Sequence, residues 1–157
     1  MKEIFQLKRV RYELGDFIRY LEETDDIFEL GIASGVLYHL LNPVELIRLL
    51  SLRCRSILLW TVYYDEGFMA DNVEVGRRFH ETPAETVTGG FAHKLYRKRY
   101  DEALEWKGFC GGGDVEACWL ERETILAAFQ YFGFRVMEVV DEKNPNGSAM
   151  LLAATRQ

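Results

Sequence analysis

The sequence predicts an α/β fold, a mostly parallel sheet closed by an antiparallel hairpin at its C-terminal end. Phe28 to Glu66 reads as strand, turn, helix, strand, and both strands are short apolar runs of the kind buried in parallel sheets. A second helical pattern, Glu121 to Phe132, leads into an apolar strand at Phe134 to Val140. That strand reaches the last one, Ala149 to Thr155, through DEKNPNGS alone, which is too short for a crossover, so the final pair must run antiparallel.

Taken in order, Lys2 to Lys8 reads as the close of a helix. Val10 to Leu14 alternates, with Val10, Tyr12 and Leu14 on one side and Arg11 and Glu13 on the other, a strand pattern ended by the turn pair Gly15-Asp16. Phe17, Tyr20 and Leu21 fall at helical spacing, and Glu22 to Asp26 forms an acidic loop. The strand Phe28 to Ala33 ends at the small pair Ser34-Gly35. Asn42 is a good N-cap, Pro43 suits the first helical position, and Glu45 completes a capping box. Val44, Leu46, Ile47 and Leu50 give that helix a wide apolar face, and Ile57 to Thr61 is the next strand. The later helix stops at Gly133. In open parallel sheets ligands bind outside the carboxyl ends of the strands, which directs attention to Ser34 to Asn42 and to Thr61 onward.

Between the two halves lies the least regular stretch, from Tyr63 to Cys118, rich in glycine and aromatic residues. Long connections in compact domains are functional or disordered, and the aromatic content argues against disorder. The stretch from about 65 to 118 is therefore read as an insertion over the carboxyl end of the sheet, part cover and part pocket wall, within a single domain spanning 1–157. Gly111-Gly112-Gly113 is followed by Asp114 rather than Lys-Ser or Lys-Thr, so it is read as a flexible turn and not as a phosphate loop.

At 157 residues the chain is long enough to bury a core, and its 48% hydrophobic and 28% charged content is that of a globular protein. The N-terminus, MKEIFQLKR, is too charged for a signal peptide and no apolar run is long enough to span a membrane, which predicts a cytoplasmic protein. The net charge of −6 argues against DNA and against broad nucleic-acid affinity. The basic run of Lys94, Arg97, Lys98 and Arg99 reads as a solvated helix face, or else as an anion or RNA-backbone contact. Cys54, Cys110 and Cys118 form no CxxC pair; they are read as free thiols rather than as zinc ligands with His80 or His93, and no metal is expected.

Several motifs carry a family resemblance. GVLYHLLNPVELI, Gly35 to Ile47, resembles the segment after the fourth strand of class I S-adenosylmethionine-dependent methyltransferases. Its GVLYH core is similar to the tRNA uridine 5-oxyacetic acid carboxymethyl transferases and to uncharacterised methyltransferases near them. LLWTVYYDE resembles the fifth strand of that group, FCGGGDVEACWLERETILAAFQYFGF the approach to its last helix, and GDFIRYLE the end of its third strand. The resemblance implies a Rossmann-like sheet that is incomplete at its N-terminal side. The family's glycine-rich loop and the acidic residue that holds the ribose have no counterpart here.

The resemblance also implies roles. S-adenosyl-L-methionine would be the cofactor, with Asp16 meeting the adenine amino group and Phe17 packing on the ring. Ser34, Gly35 and Tyr38 would lie against the cofactor. His39 is the candidate general base or substrate-orienting group, and Tyr63 or its neighbour Tyr64 a candidate wall of the acceptor pocket. Each has a structural alternative: a turn aspartate at Asp16, strand-to-helix packing at Ser34-Gly35, core tyrosines, and a capping or packing histidine. The implied activity is methyl transfer to a small-molecule or RNA acceptor. The competing expectation is a non-catalytic remnant or partner subunit, since the missing half leaves an exposed sheet edge for a copy of the chain or another protein to cover.

Overall fold

The structure, a computed structural model, describes Gln6, residues 8–109 and residues 111–157, with Asn144 described in its backbone alone. Most of the helix expected over Lys2 to Lys8 lies outside these residues, as does Cys110.

The strand expected at Val10 to Leu14 does not form: this segment is irregular, with Tyr12 and Leu14 exposed and no described strand beside it. Alternation alone does not hold an extended backbone without a hydrogen-bonding neighbour. Order begins at α1, Phe17–Glu23, where the Asp16 carboxylate accepts the Ile18 N–H at 2.8 Å. The last carbonyls of α1 are met by Arg53, whose Nε donates to Leu21 O at 3.0 Å and whose Nη2 donates to Glu22 O at 3.3 Å.

Strand β1 is Phe28–Ser34, helix α2 Pro43–Arg53 and strand β2 Cys54–Val62. The Asn42 side chain caps α2 by accepting the Glu45 N–H at 3.3 Å, but the reciprocal half of the expected capping box is not made. The Glu45 carboxylate instead takes the Arg48 guanidinium at 2.8 and 2.5 Å. β1 and β2 pair in parallel, from Phe28 opposite Cys54 to Ser34 opposite Trp60.

Helix α5, Arg122–Tyr131, leads into the hairpin of β6, Phe134–Asn144, and β7, Gly147–Arg156. Both strands run further into the DEKNPNGS connection than its turn-rich composition suggests, leaving only Pro145-Asn146 as the turn. The sheet order is β1-β2-β7-β6, with β7 alone antiparallel to its neighbours. This is the expected mostly parallel sheet with an antiparallel terminal hairpin.

One face of this sheet is dry. Ile57 and Leu59 of β2 and Met150, Leu152 and Ala154 of β7 form one core with Val44 and Ile47 of α2 and with Ile125 and Phe129 of α5. The other face is apolar but open. Leu30 and Ile32 are 53% and 66% exposed, in register with Ser56 and Leu58, and Trp60 lies beside Leu151.

The segment from 65 to 118 is more regular than its sequence suggests. It holds α3, Glu66–Asp71, α4, Val73–Gly76, and an antiparallel sheet of β3, Ala84–Thr88, β4, Phe91–Arg99, and β5, Glu116–Trp119. Gly89 and Gly90, at φ +55° and +86°, make the two-residue turn between β3 and β4. The basic run therefore lies on a strand, not on a helix face. β5 is tied to the main sheet's carboxyl end: Cys118 N–H donates to Leu40 O, and Tyr64 N–H donates to Leu120 O, both at 2.8 Å. Among the described residues no helix is long and apolar enough to cross a membrane.

The two faces predict different responses to mutation. Leu59→Ala, on the dry face, is expected to cost about 2–5 kcal/mol. Ile32→Thr, on the open face, should stay within about 0.5 kcal/mol. Urea unfolding of the two variants measures this, and an equal loss for both would show that the open face is packed in solution.

Candidate active site

The chain leaves β1 at Ser34 and turns at once. Gly35 has φ +72°, a conformation that favours glycine, and its N–H donates to Trp60 O at 3.0 Å. A single 3-10 turn, Leu37–His39, follows; Leu37 is buried and anchors it, while Tyr38 and His39 face the carboxyl ends of β1 and β2. A Cβ on Gly35 would lie 3.6 Å from the Tyr38 hydroxyl and 4.0 Å from the Trp60 ring. Gly35 thus opens directly onto these aromatic groups.

They line a cavity of about 240 Å³, with Tyr38, His39, Trp60 and Val62 on the main-sheet side. Lys98 of β4, Trp119 of β5 and Asn146 of the β6–β7 turn complete it. The Tyr38 ring meets Trp60 and Trp119 edge-on, at centroid distances of 6.2 and 6.0 Å. Lys98 Nζ sits 4.2 Å from the centroid of the Trp119 ring and 6.0 Å from that of Phe79. Lys98 and Trp119 reach this cavity from the antiparallel sheet.

The titrating groups of the cavity are both held toward neutrality. His39 Nδ1 lies 2.9 Å from the Tyr100 hydroxyl, and the rings of these residues stack. Burial, then the charge of Lys98, pushes the His39 pKa down, so the imidazole is neutral at pH 7. Burial, then the nearby Arg78, pushes Lys98 from 10.5 to about 8. Gly112 passes so close to His39 that a Cβ there would come within 2.7 Å of the His39 carbonyl oxygen. The glycine run read as a flexible turn is therefore a close backbone approach that braces the His39 turn.

Of the residues singled out from sequence, Tyr38 and His39 line this cavity, Gly35 borders Tyr38 and Trp60, and Ser34 stands at the strand end opposite Trp60 without lining it. Asp16 and Phe17 do not join them; they line a separate cavity of about 200 Å³ with Glu13, Leu14, Gly15 and Tyr20. Tyr63 is buried in the core of the main sheet, and burial, then Asp141, raises its pKa. Its neighbour Tyr64 turns the other way and stacks on Tyr96 at 3.7 Å. Cys118 and His93 are buried and His80 Nε2 lies 2.9 Å from Glu116; among the described residues no cluster of three or more histidine, cysteine or carboxylate side chains is placed to hold a metal.

Sequence reasoning missed Trp60, Trp119 and Tyr100, and it took Lys98 only as one member of the basic run. Strand alternation was the available signal. Pairing of Tyr96 with Trp119 puts Tyr96 and Lys98 on the aromatic face of β4, and Leu95 on the other face toward the main core. Larger hollows, of about 750 Å³ around Arg77 and Arg99 and about 460 Å³ on the β3–β4 hairpin, do not include the residues that follow β1.

No family model and no curated protein matches the sequence. Solved structures do match the fold. The N-terminal domain of EvdMO1, crystallised in the presence of SAH (S-adenosylhomocysteine) and D-fucose, aligns at a TM-score of 0.61 and 18% identity, over 99% of this chain and 58% of that one. An S-adenosylmethionine-dependent methyltransferase from Clostridium acetobutylicum aligns at 0.57 and 9% identity, over 99% of this chain and 68% of that one. Magnesium protoporphyrin IX methyltransferase (ChlM) from Synechocystis, with bound SAH, aligns at 0.52 and 13% identity, over 87% and 48%. The fold is that of the class I S-adenosylmethionine-dependent methyltransferases, and the chain spans 58% of the EvdMO1 domain's length.

The state of Lys98 predicts a pH dependence. Its pKa is lower folded than unfolded, so between about 8 and 10.5 the unfolded chain binds the extra proton. Across that window, rising pH should stabilise the wild type relative to Lys98→Met, by on the order of 2 kcal/mol after discounting for partial solvent screening. Parallel denaturation curves at pH 7.5 and 10.5 read the difference. Superimposable pH profiles would mean that Lys98 titrates as a solvated lysine.

Proposed function

We propose that the carboxyl ends of β1 and β2 form a methyl-transfer site that takes S-adenosyl-L-methionine as donor and a small-molecule or RNA acceptor. The observation that carries this reading is Gly35, a small residue in a left-handed turn at the end of β1, opening onto the aromatic cavity that holds His39. A ligand approaches closest where no Cβ intervenes. Bound there, S-adenosylmethionine would supply a methyl group already activated on a sulfonium.

Most of the remaining work is alignment. Ser34 and Gly35 would admit the donor to the strand end, and Tyr38 and Trp60 would wall the transfer path. The neutral His39 imidazole would take the proton that the acceptor atom loses, Nδ1–H donating to the Tyr100 oxygen and leaving Nε2 as base. Asp16 and Phe17 are the proposed adenine contacts: one Asp16 oxygen is engaged with Ile18 N–H and the other would accept the adenine amino group. Tyr63, buried beneath the site, would support it rather than touch the acceptor.

The open apolar face favours a second reading. Leu30 and Ile32 on an edge strand are suited to being covered by a further polypeptide segment that brings a glycine-rich strand, loop and helix, with this chain as the acceptor-side half of the site.

Calorimetric titration of SAH into the chain tests the first reading. Saturable heat with a dissociation constant no tighter than about 0.1 mM is expected, about −5.5 kcal/mol, because the sequence has no counterpart of the family's glycine-rich loop. Gly35→Val should weaken it at least about tenfold, which is 1.4 kcal/mol. No heat from the chain alone, with self-association or a co-purifying subunit seen by light scattering, would replace the first reading by the second.

A further inference from the structure

Lys98 is a charged group of the cavity that methyl transfer does not use. Its ammonium group is drawn in from solvent against Trp119 and Phe79, yet among the described residues no carboxylate forms an ion pair with it. Other basic side chains of the region do find partners: Arg99 lies beside Asp101 and Arg77 beside Glu74. A cation held in an aromatic cavity with no counter-charge is costly unless something arrives to match it.

We propose that the acceptor is a compact molecule bearing an anionic oxygen group, carboxylate or phosphate, and that Lys98 is the residue that selects it. The proposal rests on the methyl-transfer reading of this site and names its substrate class. Three features carry it. Lys98 lines the same cavity as His39, so a group paired with the lysine places the rest of the acceptor along Tyr38 and Trp60, the two rings that a Cβ on Gly35 would approach. The walls are flat aromatic rings, suited to a planar or single-ring body. The cavity, at about 240 Å³, falls below the ~300–1,000 Å³ typical of sites for drug-sized ligands, which favours a small acid over an RNA strand.

Charge supports the same choice. A sulfonium donor at the Gly35 turn would repel a cationic acceptor, and so would Lys98 together with the nearby charge of Arg78. An anion satisfies both. The depressed pKa of Lys98 is what an unmatched ammonium in such a place shows, and anion binding would raise it.

The probes are benzoate, phenyl phosphate and the neutral isostere benzamide, titrated without cofactor and followed by the NMR signals of the Trp60 and Trp119 indole N–H groups. Benzoate or phenyl phosphate is expected to shift both signals saturably and at least tenfold more tightly than benzamide. The tighter of the two tells carboxylate from phosphate. Lys98→Met should remove this preference, and Lys98→Arg should restore a substantial part of it. Lys98→Met folds if its amide spectrum keeps the wild-type dispersion; if it does not, Lys98→Gln takes its place. Equal affinity for benzoate and benzamide, an anion preference that survives Lys98→Met, or shifts confined to the basic surface of β4 as a single-stranded RNA oligomer binds there, would each overturn the proposal. Since no cofactor is present, these outcomes are separate from the SAH titration: anion selection without SAH heat would keep this inference and remove the donor assignment.

Discussion

Everything at the carboxyl end of the sheet depends on the parallel register of β1 against β2, which sets Ser34 beside Trp60. The register is fixed by burial. Gly31 and Ala33 turn toward α2 while Leu30, Ile32 and Ser34 turn away, and a one-residue slip would exchange the two sets. Gly31 shows how tight the inner side is, since a Cβ there would come within 2.7 Å of Cys54 Sγ. With the register set, Gly35 N–H reaches Trp60 O and the next turn must carry Tyr38 and His39 over the end of β2. The cavity follows from strand pairing more than from any feature of its own.

The insertion then closes what the register opens. β4 and β5 have a divided allegiance. Leu95 and Cys118 pack into the main core, while Tyr96 and Trp119 turn toward a second aromatic cluster with Phe79 and Val62. Because a strand alternates, one set of contacts anchors the insertion and the other builds the pocket wall. Gly112 adds a third restraint by letting the loop backbone lie against His39. The result is an imidazole held by a tyrosine hydroxyl within reach of a lysine's charge, with its position set by elements far apart in the chain.

Legibility followed the reach of the interactions. The helix after Asn42 was readable because its cap, its proline and its apolar face are all local, and the terminal hairpin because its connection is too short for any other arrangement. The alternation at Val10 to Leu14 misled for the converse reason: a strand is defined by its neighbour, and no described strand pairs with this segment. In the insertion, Gly89-Gly90 between TVT and FAH was a hairpin signal hidden among many other glycines. Ser34, Gly35, Tyr38 and His39 were legible because a strand end is a local feature. Lys98, Trp119 and Tyr100 were not, since their approach to His39 is made only when β4 and β5 fold across the end of the main sheet. A basic run looks the same in sequence whether every member is solvated or one is turned inward.

Lys98 bears most on what the site is for. Exposed lysines cost nothing, and a methionine would fill the same aromatic slot without the penalty of a desolvated charge. Cation–π contact with Trp119 offsets only part of that penalty, at about 0.5–2 kcal/mol. Residues that weaken the free fold are characteristic of sites where a ligand completes the interaction. Lys98 puts positive charge on the side of the cavity formed by the insertion. A donor at the Gly35 turn would bring positive charge of its own, so the molecule between them would carry the negative charge. On this account the specificity of the site arises in the insertion, and the main sheet supplies the platform on which the transfer is aligned.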